Sequence, residues 1–444
     1  NRPAQDKPAI VPGMDRAQQA GEIYQRWWWV KAGIWTARML AALENGVKGG
    51  KWFRLIDKVY DPKNLTSAMY EVVSNDGKPG VDRQTVEQFE ARHREEVQKL
   101  SIELKDQSYR PFPVRRVWIP KLGSHEKRPL GIPAVRDRVV QATLKGVIEP
   151  IFEKTFAQYS YGFRPGCGCQ QALERVEKLL EEGYTWIVDA DLKSYFDTIP
   201  HDRLMLRVQE HIADGKVLDL IRAFLTQGVM EGMKDWEPTD KGTPQGAVIS
   251  PLLANVYLNP LDHLMEQLGY RMTRYADDFV IQCRNQSEAE AALEVVRQWV
   301  EAEGLQLHPT KTRIVDATQR GGFDFLGYHF ERGLKWPRTK SLDKLKEAIR
   351  QKTPRTSGQS MSEIIESLNR TLRGWHVYFH KSVRNVLEAM DKMVRRRLRS
   401  ILMKRHRKRG IAWKQANRLW PTAYFTERGL YTMASIRVMG RQSR

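Results

Sequence analysis

Residues 274–281 read RYADDFVI, and the residues on either side extend an otherwise aromatic and aliphatic run. Asp277 and Asp278 stand side by side inside it. A carboxylate left ionised and unpaired in an apolar interior is strongly unfavourable. The segment can fold only if the acids lie on a solvated turn or if something positive binds there. A strand, a tight turn centred on Ala276–Asp277 and a second strand would place both carboxylates at a hairpin tip, beside a cleft. Taken alone, the pair also fits a solvated turn with incidental acids.

Two further stretches favour the cleft. WIVDADLKSYFDTIPHDRL (186–204) reads as a strand whose last residues include Asp191, followed by a turn into helix. A carboxylate at one strand end can face a hairpin tip on its neighbour. Two or three carboxylates so placed can hold a pair of divalent ions, as two-metal phosphoryl transfer needs. Magnesium suits hard oxygen ligands and retained waters best, with manganese as a substitute. In IPKLGSHEKRPLGIP (119–133), Lys121 and Arg128 flank a glycine-containing turn. They could clamp a triphosphate, Arg128 by forked hydrogen bonds and Lys121 as a point charge. Surface hairpins are often basic, so this stretch is weak alone.

The charge balance points the same way. Lys and Arg number 73 against 53 Asp and Glu, a formal charge of +20. That excess argues for a polyanionic partner, most simply nucleic acid. RRRLRSILMKRHRKR (395–409) carries no acid at all. A solvated helix face would normally mix signs, so Arg395, Arg396, Arg397, Arg399, Lys404 and Arg405 read as nucleic-acid contacts. Cys167, Cys169 and Cys283 have no zinc-site spacing and read as free thiols in a reducing compartment. No apolar run approaches the roughly 20 residues of a membrane span. No signal peptide opens the chain, and the expected location is intracellular.

Along the chain, residues 1–13 form a loose leader, and a helical pattern then runs from Met14 to about Leu43. Trp27, Trp28 and Trp29 fall within it, for packing rather than base stacking. SNDGKPGVDRQT (74–85) is a loop before a helix starting near Thr85. Strand, basic turn, strand and helix follow, then a long mixed α/β region to about residue 335. Ile364, Leu368, Leu372, Trp375 and Phe379 form a helical apolar stripe, and Val386, Met390, Val394 and Ile401 begin another.

RPLGIP, DLKSYFD, GTPQGAVISPLLANVYLN and YADD, in that order, resemble a reverse transcriptase. Within that group the chain most resembles proteins encoded by bacterial group II introns, from about residue 50 to the end. The resemblance implies an α+β right-hand polymerase, with fingers and palm built on an antiparallel sheet and an α-helical thumb behind them. Residues 1–50 would be leader and helix, and 51–110 an N-terminal extension of the fingers. Fingers and palm would cover 111–335, the thumb or maturase domain 336–394, and a basic DNA-binding region 395–444.

It also implies roles for single residues. Asp191, Asp277 and Asp278 would hold two Mg2+ ions, with Asp278 the less direct ligand and Leu192 lending its backbone carbonyl. Lys121 and Arg128 would bind the deoxynucleoside triphosphate. Phe196 would be the gate that excludes a 2′-hydroxyl, and Gln245 would lie beside nucleotide and template. Lys311, in LHPTKT (307–312), would give a proton to the departing pyrophosphate; a solvated lysine fits the same residues. GFDFLGYHF (322–330) resembles the primer grip, although its alternation equally suits a core strand.

The expected activity is therefore RNA-directed DNA synthesis from a primer 3′-hydroxyl. Its partners would be an RNA template and primer, group II intron RNA for splicing and retrohoming, and a DNA target. The setting would be a bacterial cytoplasm, near the nucleoid. A homodimer stays open. Two other readings stand beside it: a reverse transcriptase recruited to DNA repair or phage defence, and a splicing maturase with a secondary polymerase role. GCGC (166–169) departs from the family pattern, and the family's nuclease domain is absent from the sequence.

Overall fold

The computed structural model describes residues 21–120, 127–231, 235–237, 241–408 and 411–435. The helical pattern expected from Met14 to Leu43 breaks at its tryptophans. Residues 21–26 are helical and turns follow, before helix α1 (Ala37–Asn45), capped by the Thr36 hydroxyl. Polar partners for the aromatic edges override the local period. The Trp35 indole N–H donates to the Gly146 carbonyl at 3.1 Å, and the Tyr24 hydroxyl to the Trp35 carbonyl at 3.2 Å. Trp27 and Trp35 are buried, whereas Trp28 is 68% exposed. The loop before Thr85 is as expected, and Thr85 caps the next helix.

In chain order the first five strands are β1 (Val114–Pro120), β2 (Lys127–Ile132), β3 (Trp186–Asp191), β4 (Val229–Glu231) and β5 (Asp235–Glu237). Then come β6 (Arg271–Tyr275), β7 (Asp278–Cys283), β8 (Arg313–Asp316), β9 (Phe323–Phe325), β10 (Tyr328–Glu331) and β11 (Leu334–Pro337). They make three sheets, ordered β2-β1-β4-β5, β6-β7-β3-β8 and β11-β10-β9. The first is not wholly antiparallel, because β1 and β4 run parallel. The central sheet, β6-β7-β3-β8, is antiparallel throughout.

Helices cover that central sheet on both faces. They are α3 (Cys169–Glu181), α4 (Ser250–Gln267) and α5 (Gln286–Ala302), whereas α2 (Val135–Glu153) packs on α4 and on the helical segment before β1. Side chains alternate along a strand, so each strand feeds two faces. Val188, Ala190, Phe279 and Ile281 join the main core, with Leu252 and Leu253 of α4 and Ala289 and Val296 of α5. Ile187 and Val280 face the other way. They pack with Ala172, Leu173 and Val176 of α3 and with Phe323, Phe325, Tyr328 and Phe330 of the third sheet. The aromatics of GFDFLGYHF are thus core, and Asp324 and His329 pair across the strands at 2.7 Å.

A third core belongs to α6 (Thr339–Lys352), α7 (Met361–Phe379) and α8 (Arg384–Arg405). Ile364, Leu368 and Leu372 of the expected stripe are fully buried in it. Ser360 and Glu363 close a capping box that starts α7. The tie to the third sheet is aromatic: Tyr328 donates to the Tyr378 carbonyl at 2.8 Å, and Tyr378 to the Leu326 carbonyl at 2.7 Å.

The basic stretch is not a separate piece. α8 runs through residues 394 and 395 without a break, and the same core continues to Phe425, Leu430 and Met433. Arg399 is only 7% exposed, lies over the Phe425 ring and donates to the Trp420 carbonyl at 2.8 Å. It is a core residue, which corrects its expected place among the nucleic-acid contacts. Arg397 bonds the Thr353 hydroxyl and carbonyl, and Arg405 the Ser357 and Gln359 carbonyls. Arg396 and Lys404 are exposed. Arg399→Met should cost about 1–3 kcal/mol by orphaning the Trp420 carbonyl, read as a lower urea midpoint. The salt dependence of nucleic-acid binding should stay parental in that variant.

Candidate active site

Register gathers the acids. Tyr275 lies opposite Asp278, and Asp278 opposite Asp191, so the three form one row across β6, β7 and β3. Directly opposed residues share a face. The row therefore lies on the Ile187–Val280 face, at the strand ends beyond its aromatic cover. Asp277 occupies the turn between β6 and β7, where Ala276 has a φ of +59°. The hairpin tip expected from the sequence is what forms.

At the far end of the row, the Lys311 Nζ lies 2.7 Å from Asp191 Oδ2. Arg313 pairs with Asp189, two residues earlier on β3, at 3.1 Å. Asp278 is pushed up to about 7, first by burial and then by Asp189 and Asp277, with Arg338 opposing. Asp277 is raised by burial and by Asp191. Acids that lift one another in this way are short of positive charge, which is the condition a divalent cation relieves. Carboxylates are also the donors that hard cations choose. The residues fit such an ion, in an open site. Among the described residues no group of three or more His, Cys, Asp or Glu side chains is gathered closely enough to hold a metal ion unaided.

Leu192 is buried and bridges to Leu307. The bonds of that bridge run from Lys193 N to the Gln306 carbonyl and from His308 N to the Asp191 carbonyl. They leave the Leu192 carbonyl outside the ladder. Phe196 is half-buried, and its ring lies edge-on to Tyr195 at 5.5 Å. Gln245 Nε2 reaches Asp197 at 3.2 Å, and its carbonyl accepts from Gly131 of β2 at 2.6 Å. The glycines of GTPQG allow this approach: a Cβ on Gly246 would meet the Gly131 carbonyl oxygen at 2.4 Å. Arg128 sits on β2 opposite Ile119. Lys121 lies outside the described residues.

The sequence reading missed what holds the tip. Arg274 is 0% exposed and points through the opposite face of the sheet toward α4. Its guanidinium forks onto Asp262, with Nε at 2.7 Å from Oδ1. One terminal nitrogen also donates to Asn255 Oδ1 at 2.9 Å and to the Ala276 carbonyl at 2.8 Å. Asn255 in turn donates to the Gly162 carbonyl at 2.7 Å. A Cβ on Gly162 would come within 2.2 Å of Ala276 N, so only glycine fits beneath the turn. An arginine in an apolar strand and an aspartate in the apolar run PLLANVYLNPLD were the available signals. Cys169 of GCGC begins α3, and the Tyr275 and Tyr378 hydroxyls are raised first by burial and then by its thiol.

Residues 119–330 match the family described as reverse transcriptase (RNA-dependent DNA polymerase). Residues 342–420 match the group II intron maturase-specific domain. Protein YkfC of Escherichia coli K12 is 34% identical over 321 residues, covering 63% of this chain and 83% of that protein. The group II intron-encoded protein LtrA of Lactococcus lactis is 40% identical over 180 residues, covering 40% of this chain and 30% of LtrA. A 91 kDa protein in the cob intron of Schizosaccharomyces pombe is 40% identical over 172 residues, covering 39% of this chain and 21% of that protein.

The chain belongs to the group II intron type of reverse transcriptase, RNA-directed DNA polymerases with a maturase-specific domain. Reverse transcriptase domains work with divalent metal ions, and this family acts on nucleic acids, intron RNA among them. The matched segment spans less than a third of LtrA. Among the described residues no helix is long and apolar enough to cross a membrane.

Arg274→Met should destabilise the protein by about 3–5 kcal/mol, because Asp262 stays buried without its partner. Adding Asp262→Leu should recover part of that loss in urea unfolding. A single variant that unfolds at the parental midpoint would contradict the network's role.

Proposed function

We propose that Asp191, Asp277 and the Leu192 carbonyl hold two divalent ions, Mg2+ by preference and Mn2+ as a substitute, with Asp278 the less direct ligand. The observation that carries this reading is the row Tyr275–Asp278–Asp191 with Lys311 on its end. When bound, the ions would loosen the primer hydroxyl proton and offset charge on the leaving pyrophosphate. The remaining work falls to the chain's own side chains.

The triphosphate of a deoxynucleotide lies along the Asp191 end, clamped by Arg128 and Lys121. Lys311 would give a proton to the departing pyrophosphate, a role its contact with Asp191 supports. Phe196 sits under the sugar and turns away a 2′-hydroxyl by bulk alone. Gln245, tied to Asp197 and to the β2 backbone, sets the nucleotide against the template. Fingers and palm correspond to residues 111–335, with 51–110 as their extension. The helical unit after residue 335 grips RNA, and exposed Arg396 and Lys404 extend that surface toward DNA. With a formal charge of +20, the protein would work beside the nucleoid of a bacterial cytoplasm.

Primer extension on an RNA template tests the reading. Asp277→Ala should abolish synthesis and leave RNA affinity near parental; synthesis by that variant would sink the metal assignment. Phe196→Ala should raise ribonucleotide incorporation, and unchanged sugar discrimination would remove Phe196 from the gate.

A further inference from the structure

Phe163 is the next residue after the glycine beneath the turn, and its state is unusual in two ways. Its ring is 50% exposed, and its backbone is left-handed at a φ of +57°. A bulky residue pays for that conformation with strain, which persists only where its surroundings over-determine it. They do so here. On one side Gly162 is pinned by Asn255 and by contact with Ala276. On the other, Arg164 forks onto Glu153 and donates to the Ala157 and Ser160 carbonyls at 2.6 Å each. Tyr159 and Tyr161 bond the backbone of Arg274. The frame that fixes Asp277 therefore also fixes Phe163, and it turns an aromatic ring outward.

The ring stands 6.3 Å from that of Tyr275, extending the row that runs Tyr275–Asp278–Asp191–Lys311. Phe163 thus stands next to Tyr275, which lies directly opposite Asp278. The two ends of the row differ in chemistry. Lys311 marks the Asp191 end. At the opposite end Arg164 is committed to Glu153 and to carbonyls, so aromatic faces are what is offered. Two substrates must meet at the carboxylates, and the triphosphate belongs at the cationic end.

We infer that Phe163 is a stacking platform for the 3′-terminal nucleotide of the primer strand, held in register with Asp277 by the Arg274–Asn255 network. This rests on the polymerase reading above. An aromatic face accepts any base, which suits a site that must take every primer end. Because the ring and the metal-side turn share one support, the primer hydroxyl would be placed relative to Asp277 rather than relative to the protein surface.

The test compares Phe163→Ala, Phe163→Tyr and Phe163→Gly with the parent. Fluorescence anisotropy would be measured on an RNA template carrying a recessed DNA primer, and on the same RNA single-stranded. Phe163→Ala should weaken the recessed-end duplex about tenfold, the scale of one stacked base, and spare single-stranded RNA. The KM for primer–template should rise in parallel while the KM for deoxynucleotide holds. Phe163→Tyr should restore both. Phe163→Gly should bind like Phe163→Ala yet unfold at higher urea, because glycine relieves the left-handed strain.

Parental duplex affinity in Phe163→Ala would overturn the inference. So would equal loss on single-stranded RNA, or a defect confined to the deoxynucleotide KM. If Phe163→Gly were the less stable of the two, the strain argument would fall with it. A parent that extends no primer would defeat the polymerase reading, and the anisotropy comparison would still decide Phe163.

Discussion

The buried pair of Arg274 and Asp262 is the interaction on which the site depends. A charge taken out of water is tolerable only when its partner and its remaining hydrogen bonds are all in place. Here the guanidinium satisfies Asp262, Asn255 and the Ala276 carbonyl from a position with no solvent access. It thereby connects helix α4, the β6–β7 turn and, through Asn255, the Tyr159–Phe163 segment. One face of the central sheet is anchored by a cation inside the protein. The other carries Asp189, Asp191 and Asp278 at its strand ends.

That division gives a strongly basic chain an acidic centre. The strand ends carry Asp189, Asp191 and Asp278 on one face, and only Arg313 and Lys311 answer Asp189 and Asp191 directly in the described ion pairs. Both side chains are substantially exposed, so they can move without breaking a core. A negatively charged substrate approaching such a site is drawn by the surrounding lysines and arginines, and its reacting phosphate needs metal to approach the acids. The aromatic cover of Phe323, Phe325, Tyr328 and Phe330 closes the same face a few residues away. It also ties the helical unit to the sheet through Tyr378, so a thumb that grips nucleic acid would be mechanically continuous with the catalytic strands.

Local signals made much of this legible. The apolar run interrupted by Asp277 and Asp278 required a hairpin tip, and the stripe through Ile364, Leu368 and Leu372 required a buried helix face. Both formed. What escaped depended on partners far along the chain. The helical period near Trp27–Trp35 gave way because Trp35 finds a carbonyl 111 residues later. The all-basic run from Arg395 looked like one surface, but an arginine's length and forked donors let it serve carbonyls inside the fold. Arg397, Arg399 and Arg405 do so, and spacing alone cannot tell them from Arg396 and Lys404. Arg274 was hidden for the same reason: its partner sits on another element.

The proposed role of the carboxylate row is to hold metal where primer and nucleotide meet. A crystal of the protein with RNA template, a dideoxy-terminated primer, deoxynucleotide and Mn2+ tests it most directly, through anomalous diffraction at the manganese edge. Anomalous peaks should then lie between the Asp191 and Asp277 carboxylates, beside the primer end and the triphosphate. Bound nucleotide with no peak there, or with manganese held only elsewhere on the chain, would contradict it.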